Sequence, residues 1–462
     1  MFRQSPIFRL CFYCLFVFAS CNSGSANNET QQSNPVASDV KLVDGHPDWI
    51  MQGNIYEVNV RQYTPEGTFK SFEKSLDRLK EMGAQTLWFM PINPISKVDR
   101  KGALGSYYAV SDYTQINPEF GTLEDWKELV KHAHDMGFKV IIDWVPNHSG
   151  ADNRWLTEHP DFYVKDSTGK AAVAHDWTDT RKLDYKNMVL QDSMMSSMKY
   201  WITESDIDGF RCDVAGDVPD EFWKKCIREL KKTKANIFML AEADKPSLHD
   251  DGFDATYAWA MFAMMKKVAK GERSANALDS VRNKFDTTFP VNSLKMFFTS
   301  NHDENSWNKA DYGTMPGSIH APFAVFTQTM PNDVPLIYSG QEEPVLDSIS
   351  FFYKDPIHFK NYGRAKFYKT LLELRKNNPA LSANASFKKI DLGNDKSLYA
   401  YMREGGGKKI MVILNLSPKE QKIRIGDVSL MGNVHNVFMG TNEQLTNKEW
   451  KLEPWGYVVY TY

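Results

Sequence analysis

Along the middle of the chain, short apolar runs alternate with segments of helical periodicity. IYEVNV (55–60), TLWFMP (86–91), KVIIDWV (139–145), DGFRCDV (208–214), NIFMLAE (236–242), FDATYAW (253–259), LKMFFTS (294–300) and VPLIYSG (334–340) read as eight strands. Between the first two, Phe69, Phe72, Leu76, Leu79 and Met82 recur at helical spacing and Gly83 supplies a stop. After the second, Leu123, Trp126, Leu129, Val130 and Ala133 form one apolar face behind a Thr122-x-x-Asp125 start. Near-continuous apolar strands are buried on both faces, which implies a parallel sheet. Eight β/α units then predict a TIM (β/α)8 barrel over 48–378, with a small loop domain inserted after strand 3, at 149–185. From Pro379 the period changes to two, in FKKIDLG, SLYAYMRE, KKIMVILNLS, QKIRIG and GYVVYTY. Turn residues separate these runs, and they predict an antiparallel β-sandwich over 379–462.

The N-terminal region has a different character. Arg3 and Arg9 precede LCFYCLFVFA, an apolar run too short to span a bilayer but suited to a secretory signal peptide at 1–20. Ala19-Ser20-Cys21 resembles the lipobox of bacterial lipoproteins, although Phe18 departs from the usual aliphatic residue. The resemblance implies lipidation of Cys21 and an outer-membrane lipoprotein on its periplasmic or cell-surface face; the alternative is a plain signal peptide. Residues 21–47 are polar and of low complexity, as expected of a flexible tether. Three of the five cysteines thus fall in the targeting region, leaving Cys212 and Cys226 and excluding a disulfide framework. A formal charge of −3 gives no basic field for nucleic acid, so membrane contact is expected through the lipid alone.

The candidate chemistry lies at the C-terminal ends of the strands, which face the active site in such barrels. The third strand runs into Asp143 and then Asn147-His148, the fourth carries Arg211 and Asp213, the fifth ends at Glu242, and the seventh leads to His302-Asp303. Gathering so many carboxylates costs repulsion unless function requires them. A carboxylate pair across a sugar bond is the apparatus of a glycosidase. Arg211 is two residues from Asp213, on the same face of the strand, where its charge favours an ionised nucleophile. Glu242 follows IFML, where partial desolvation suits a general acid. Asp303 can hold sugar hydroxyls, and His148 and His302 are suited to the same task.

These segments resemble the α-amylase family, family 13 of the glycoside hydrolases, from about residue 48 onward. DWVPNH, GFRCDV, the Glu after IFMLA and NHDE are similar to its four best-known regions. The resemblance implies Asp213 as nucleophile, Glu242 as acid/base and Asp303 as transition-state stabiliser, with Arg211, His148 and His302 binding substrate. YYAVSDYTQINPEFGT implies Tyr108 as an aromatic platform beneath the sugar; the other reading is a core tyrosine. The implied activity is retaining hydrolysis of α-1,4-glucosidic bonds in starch or maltooligosaccharides through a covalent glycosyl-enzyme. Alternatives are a transglycosylase on the same scaffold and a non-catalytic glucan-binding lipoprotein.

One departure bears on metal and acceptor binding. Where many members carry Lys and His after the nucleophile, this chain has Gly216-Asp217. Calcium is therefore an open expectation, with Asn147 and Asp184 (in KLDYKN) as the remaining oxygen ligands; Asn147 can equally serve a loop hydrogen bond. Asp176 and Asp179 receive no ligand role, and no organic cofactor is expected.

Overall fold

The computed structural model describes residues 40–309, 315–344 and 346–462. The signal peptide and Cys21 lie outside them. Eight parallel strands close into a barrel: β1 (Ile55–Val58), β2 (Thr86–Phe89), β3 (Lys139–Trp144), β4 (Gly209–Cys212), β5 (Phe238–Ala241), β6 (Ala255–Tyr257), β7 (Leu294–Phe297) and β8 (Asp333–Tyr338). β8 returns to pair with β1, Ile337 opposite Tyr56, so the sheet has no free edge. Every residue of β1, β2, β4 and β5 is buried, as expected when both faces are covered. Gly209 is obligatory in β4: a Cβ there would lie 2.3 Å from the Phe238 carbonyl oxygen.

The expected helices form with local adjustments. Leu123–Asp135 is capped by reciprocal bonds between Thr122 and Asp125. The periodic stretch at 69–82 splits into Phe69–Glu73 and Leu76–Met82, and Gly83 ends the second in the left-handed conformation. The inserted segment after β3 is anchored by an antiparallel pair, His148–Gly150 against Thr180–Lys182.

Two regions differ from the sequence reading. Residues 41–47, expected at the end of a tether, are folded: Leu42–Val43 pairs with His46–Pro47. The His46 Nδ1 lies 2.9 Å from Asp254 Oδ1, fastening this turn under the barrel. The C-terminal part has eight strands rather than five. A six-stranded sheet runs in the order β9 (Ser386–Ile390), β10 (Leu398–Gly405), β11 (Lys408–Asn415), β16 (Tyr457–Thr461), β13 (Gly432–Asn436), β14 (Thr441–Leu445). Two further strands, β12 (Gln421–Ile423) and β15 (Trp450–Leu452), pair with each other in a separate sheet.

Alternation in this sheet serves two cores. Tyr399, Tyr401, Ile410, Val412, Leu414 and Val459 share a cluster with the barrel-side Phe323, Phe326 and Leu336. Their neighbours Leu398, Ala400, Met402, Met411 and Ile413 pack with Ile423 and Leu452 of the small sheet. The large sheet is therefore a middle layer, and its best-covered strands are apolar on both sides.

Candidate active site

The catalytic candidates converge because adjacent strands end at one rim. Arg211 is fully buried and donates from Nη1 to Asp143 Oδ1 at 2.8 Å and to Asp213 Oδ1 at 3.0 Å. Its Nη2 lies 3.0 Å from Glu242 Oε2, and its Nε donates to the Tyr257 hydroxyl at 3.0 Å. One guanidinium thus organises carboxylates from β3, β4 and β5. Val214, directly after Asp213, has φ +45°, a conformation unfavourable to a β-branched residue. Its N–H donates to Glu242 Oε2 at 2.9 Å, so strain of about 1–3 kcal/mol is held where it orients a reacting group.

A second chain of bonds descends from β7. Asn301 caps the helix His302–Asn308, receiving the Glu304 N–H on its side chain. His302 Nε2 lies 2.8 Å from the Tyr108 hydroxyl and 3.3 Å from Asp303 Oδ2, while Nδ1 lies 2.5 Å from Glu57 Oε1. Tyr108 donates to Asp143 Oδ2 at 3.0 Å, so the proton between Tyr108 and His302 belongs to the histidine. The Tyr108 ring stacks beside His302, centroids 5.4 Å apart, in the wall of a cavity of about 410 Å³. Asp213, Glu242, Asp303 and His148 line the same cavity. Arg211 and His302 lie behind this lining.

The electrostatics follow from burial and the excess of acids. Burial pushes Asp143 up to about 6 against the pull of Arg211. Asp213 is raised well above the ordinary carboxylate range, first by burial and then by Glu242 beside it, again against Arg211. Arg211 favours an ionised Asp213, as expected, but desolvation and repulsion outweigh it in the free protein. Burial also opposes ionisation of Asp303, but His302 first, then Arg211 and the Trp307 indole, hold it below its usual value. Burial disfavours a charged His302, yet Asp303 and Glu57 raise it well above 6.5. His148 goes the other way, down to about 3, through burial and the nearby Lys182 ammonium.

Several contributors were not singled out in the sequence. Glu57 had a signal, being a lone acid within the apolar run IYEVNV. Tyr257, on β6, carried none. Trp307, Phe351 and Phe352 form an aromatic wall of the cavity, with Trp307 5.3 Å from Phe351 between ring centroids. The last two come from the loop after β8, beyond any strand end that pattern could flag.

Asn147 and Asp184 do not form a ligand set. The Asn147 Oδ1 accepts a hydrogen bond from Lys182 Nζ, and Asp184 Oδ1 accepts the Lys186 backbone N–H. Among the described residues, no group of three or more His, Cys, Asp or Glu could hold a metal ion. With its oxygen already engaged by an ammonium, Asn147 does not fit the ligand set of a hard cation. Cys212 and Cys226 are both buried free thiols.

A closed barrel with carboxylates gathered at the C-terminal rim is an arrangement suited to glycoside hydrolysis. The α-amylase catalytic-domain model matches residues 24–179 and 163–364, and the chain belongs to the α-amylase family. It is 26% identical over 390 residues to α-amylase MalA of Haloarcula japonica, covering 80% of this chain and 56% of that protein. It is 26% identical over 400 residues to a cyclomaltodextrinase of Thermoanaerobacter pseudethanolicus, covering 78% of this chain and 66% of that one. The chain thus spans between about half and two thirds of the length of these curated relatives. Among solved structures, a noncanonic maltogenic α-amylase from Thermotoga neapolitana superposes with a TM-score of 0.81 at 28% identity, covering 89% of this chain and 99% of that one. An α-amylase from Lactobacillus plantarum gives 0.80 at 27% identity, with the same coverages.

Proposed function

We propose that this protein is a retaining α-glucan hydrolase acting on α-1,4-glucosidic bonds of starch or maltooligosaccharides. The observation that carries the reading is the shared guanidinium: Arg211 lies 3.0 Å from both Asp213 and Glu242, at the ends of neighbouring strands. Such closeness suits direct attack by one carboxylate, which in retaining enzymes stands about 5 Å from the other. Asp213 attacks the anomeric carbon while Glu242 protonates the departing glycosidic oxygen. Water, deprotonated by Glu242, then releases the glycosyl group from Asp213. Asp303 binds ring hydroxyls and gains strength as positive charge develops on the sugar. Tyr108 supports the face of the ring and His148 holds one of its hydroxyls, while His302, behind the lining, fixes Tyr108 and Asp303.

A fluorinated α-glucosyl substrate that slows the second step tests this directly. Intact-mass analysis should find one glycosyl adduct on a peptide containing Asp213 and none in Asp213→Asn. An adduct elsewhere, or turnover by Asp213→Asn at the wild-type rate, would overturn it.

Transfer to a sugar acceptor is the second reading, and one feature favours it. Asp217 Oδ2 lies 2.8 Å from His175 Nε2 of the inserted segment, and the neighbouring Trp177 lines the cavity. The position where many family members carry His is thus tied to the inserted segment beside the cavity. With maltotriose as sole substrate, accumulation of longer oligosaccharides over glucose and maltose would favour transfer.

The N-terminal lipobox supports attachment through a diacylated Cys21 to the outer membrane. Lipid labelling that is lost in Cys21→Ser would support it, and an unlabelled wild-type protein would overturn it.

A further inference from the structure

The most unusual polar contact outside the carboxylate cluster lies where the inserted segment meets the barrel. Asn147 is almost fully buried at the end of β3, and Lys182 is half-buried on the returning strand of the insert, opposite His148 in register. The Lys182 ammonium donates to Asn147 Oδ1. An amide whose oxygen is so engaged presents its NH2 on the other side, and Asn147 Nδ2 lies 3.2 Å from His148 Nδ1. Nδ1 then accepts, and the ring proton sits on Nε2. That nitrogen is buried without a hydrogen-bond partner in the protein, on a ring that lines the cavity.

We propose that Lys182 is a built-in cation that does at Asn147 what a divalent ion would do. It ties the insert to the barrel and, through the amide, positions His148 with Nε2–H directed at a sugar hydroxyl. The ammonium meets the electrostatic need of the Asn147 oxygen with one charge and directed N–H bonds, where a hard cation would need several more oxygens. Lys182 is thus a positioning residue: it acts through Asn147 and does not touch the reacting atoms.

The structural half is read without substrate. The wild-type melting temperature should be the same in chelator and in millimolar calcium; a fall in chelator that calcium reverses would overturn the proposal. Lys182→Met keeps the bulk and removes the charge. It should lower Tm by about 1 °C, because the shift per lost kilocalorie shrinks as the unfolding entropy grows with chain length. It should also speed proteolytic cleavage within 149–185. Wild-type melting and digestion of this variant would overturn the proposal. The His148 half rests on the glucan reading above. There, Lys182→Met should raise KM for maltotriose about 3- to 10-fold, the worth of one neutral hydrogen bond, with a smaller change in kcat. An unchanged KM beside a lowered Tm would overturn the positioning of His148 and leave the glucan reading standing.

Discussion

Two buried guanidinium–carboxylate clusters sit at opposite ends of this barrel and are balanced in opposite ways. At the rim, one arginine, Arg211, faces three acids, Asp143, Asp213 and Glu242. At the base, one acid, Asp333, is held by Arg375 at 2.7 Å and lies in the field of Arg403 as well. The basal arginines also spend their N–H groups on carbonyls: Arg375 on Gly53 and Asp333, Arg403 on Thr329 and Ser382. The basal arginines have their donors engaged and join the barrel to the C-terminal sheet, with Asp333 held by charge alone, whereas the rim is overloaded with carboxylates. A cluster built for stability saturates its donors; one built for chemistry leaves acids in competition for protons.

That contrast can be broken by mutation. The largest expected effects are at the rim: Glu242→Gln should cost about 10²–10⁴ in kcat, the range for general acid–base catalysis, measured on soluble starch. Asp213→Asn should abolish turnover while raising the melting temperature, because it removes a desolvated carboxyl from a repelling group; a lowered Tm would contradict the account of the rim. At the base, Arg375→Met should cost about 3–5 kcal/mol in chemical denaturation, since Asp333 would be left unpaired. Specific activity of its folded fraction should stay near wild type.

A finer test uses pH. Burial pushes Asp333 up to about 6. Its folded value lies above the unfolded one of roughly 4, so the folded state binds the extra proton between the two. Stability from this group is then highest at low pH and declines as pH rises through that window. Asp333→Asn should flatten that part of a Tm-against-pH curve. The smallest effect expected is from Glu57→Gln, which loosens His302. It should lower kcat/KM about tenfold, the cost of a weakened charged hydrogen bond, and move the alkaline limb of the rate profile to lower pH. An unmoved limb would remove Glu57 from the account of His302.

Much of the barrel was legible because strands buried on both faces leave continuous apolar runs, and each carries its polar residues at one end. Arg211, Asp213, Glu242, His302 and Asp303 were visible for that reason. Periodicity was silent where geometry is set by loops: Phe351 and Phe352 follow β8 in a stretch with no strand or helix pattern. It failed at residues 41–47, whose polar sequence conceals His46 bonded to Asp254. Strands β13, β14 and β15 were missed because they are short and each buries a single apolar side chain, Val434, Leu445 and Leu452, so no alternation stands out. Lys182 could not have been linked to Asn147 without the strand pairing that brings them together.

The middle-layer position of the C-terminal sheet has a consequence for engineering. Because Tyr399, Tyr401 and Val412 share one core with Phe323 and Phe326, this sheet is not a cassette that can be exchanged at residue 379. A chimaera with another barrel would have to import the helix His320–Thr329 with the sheet, or redesign both surfaces together.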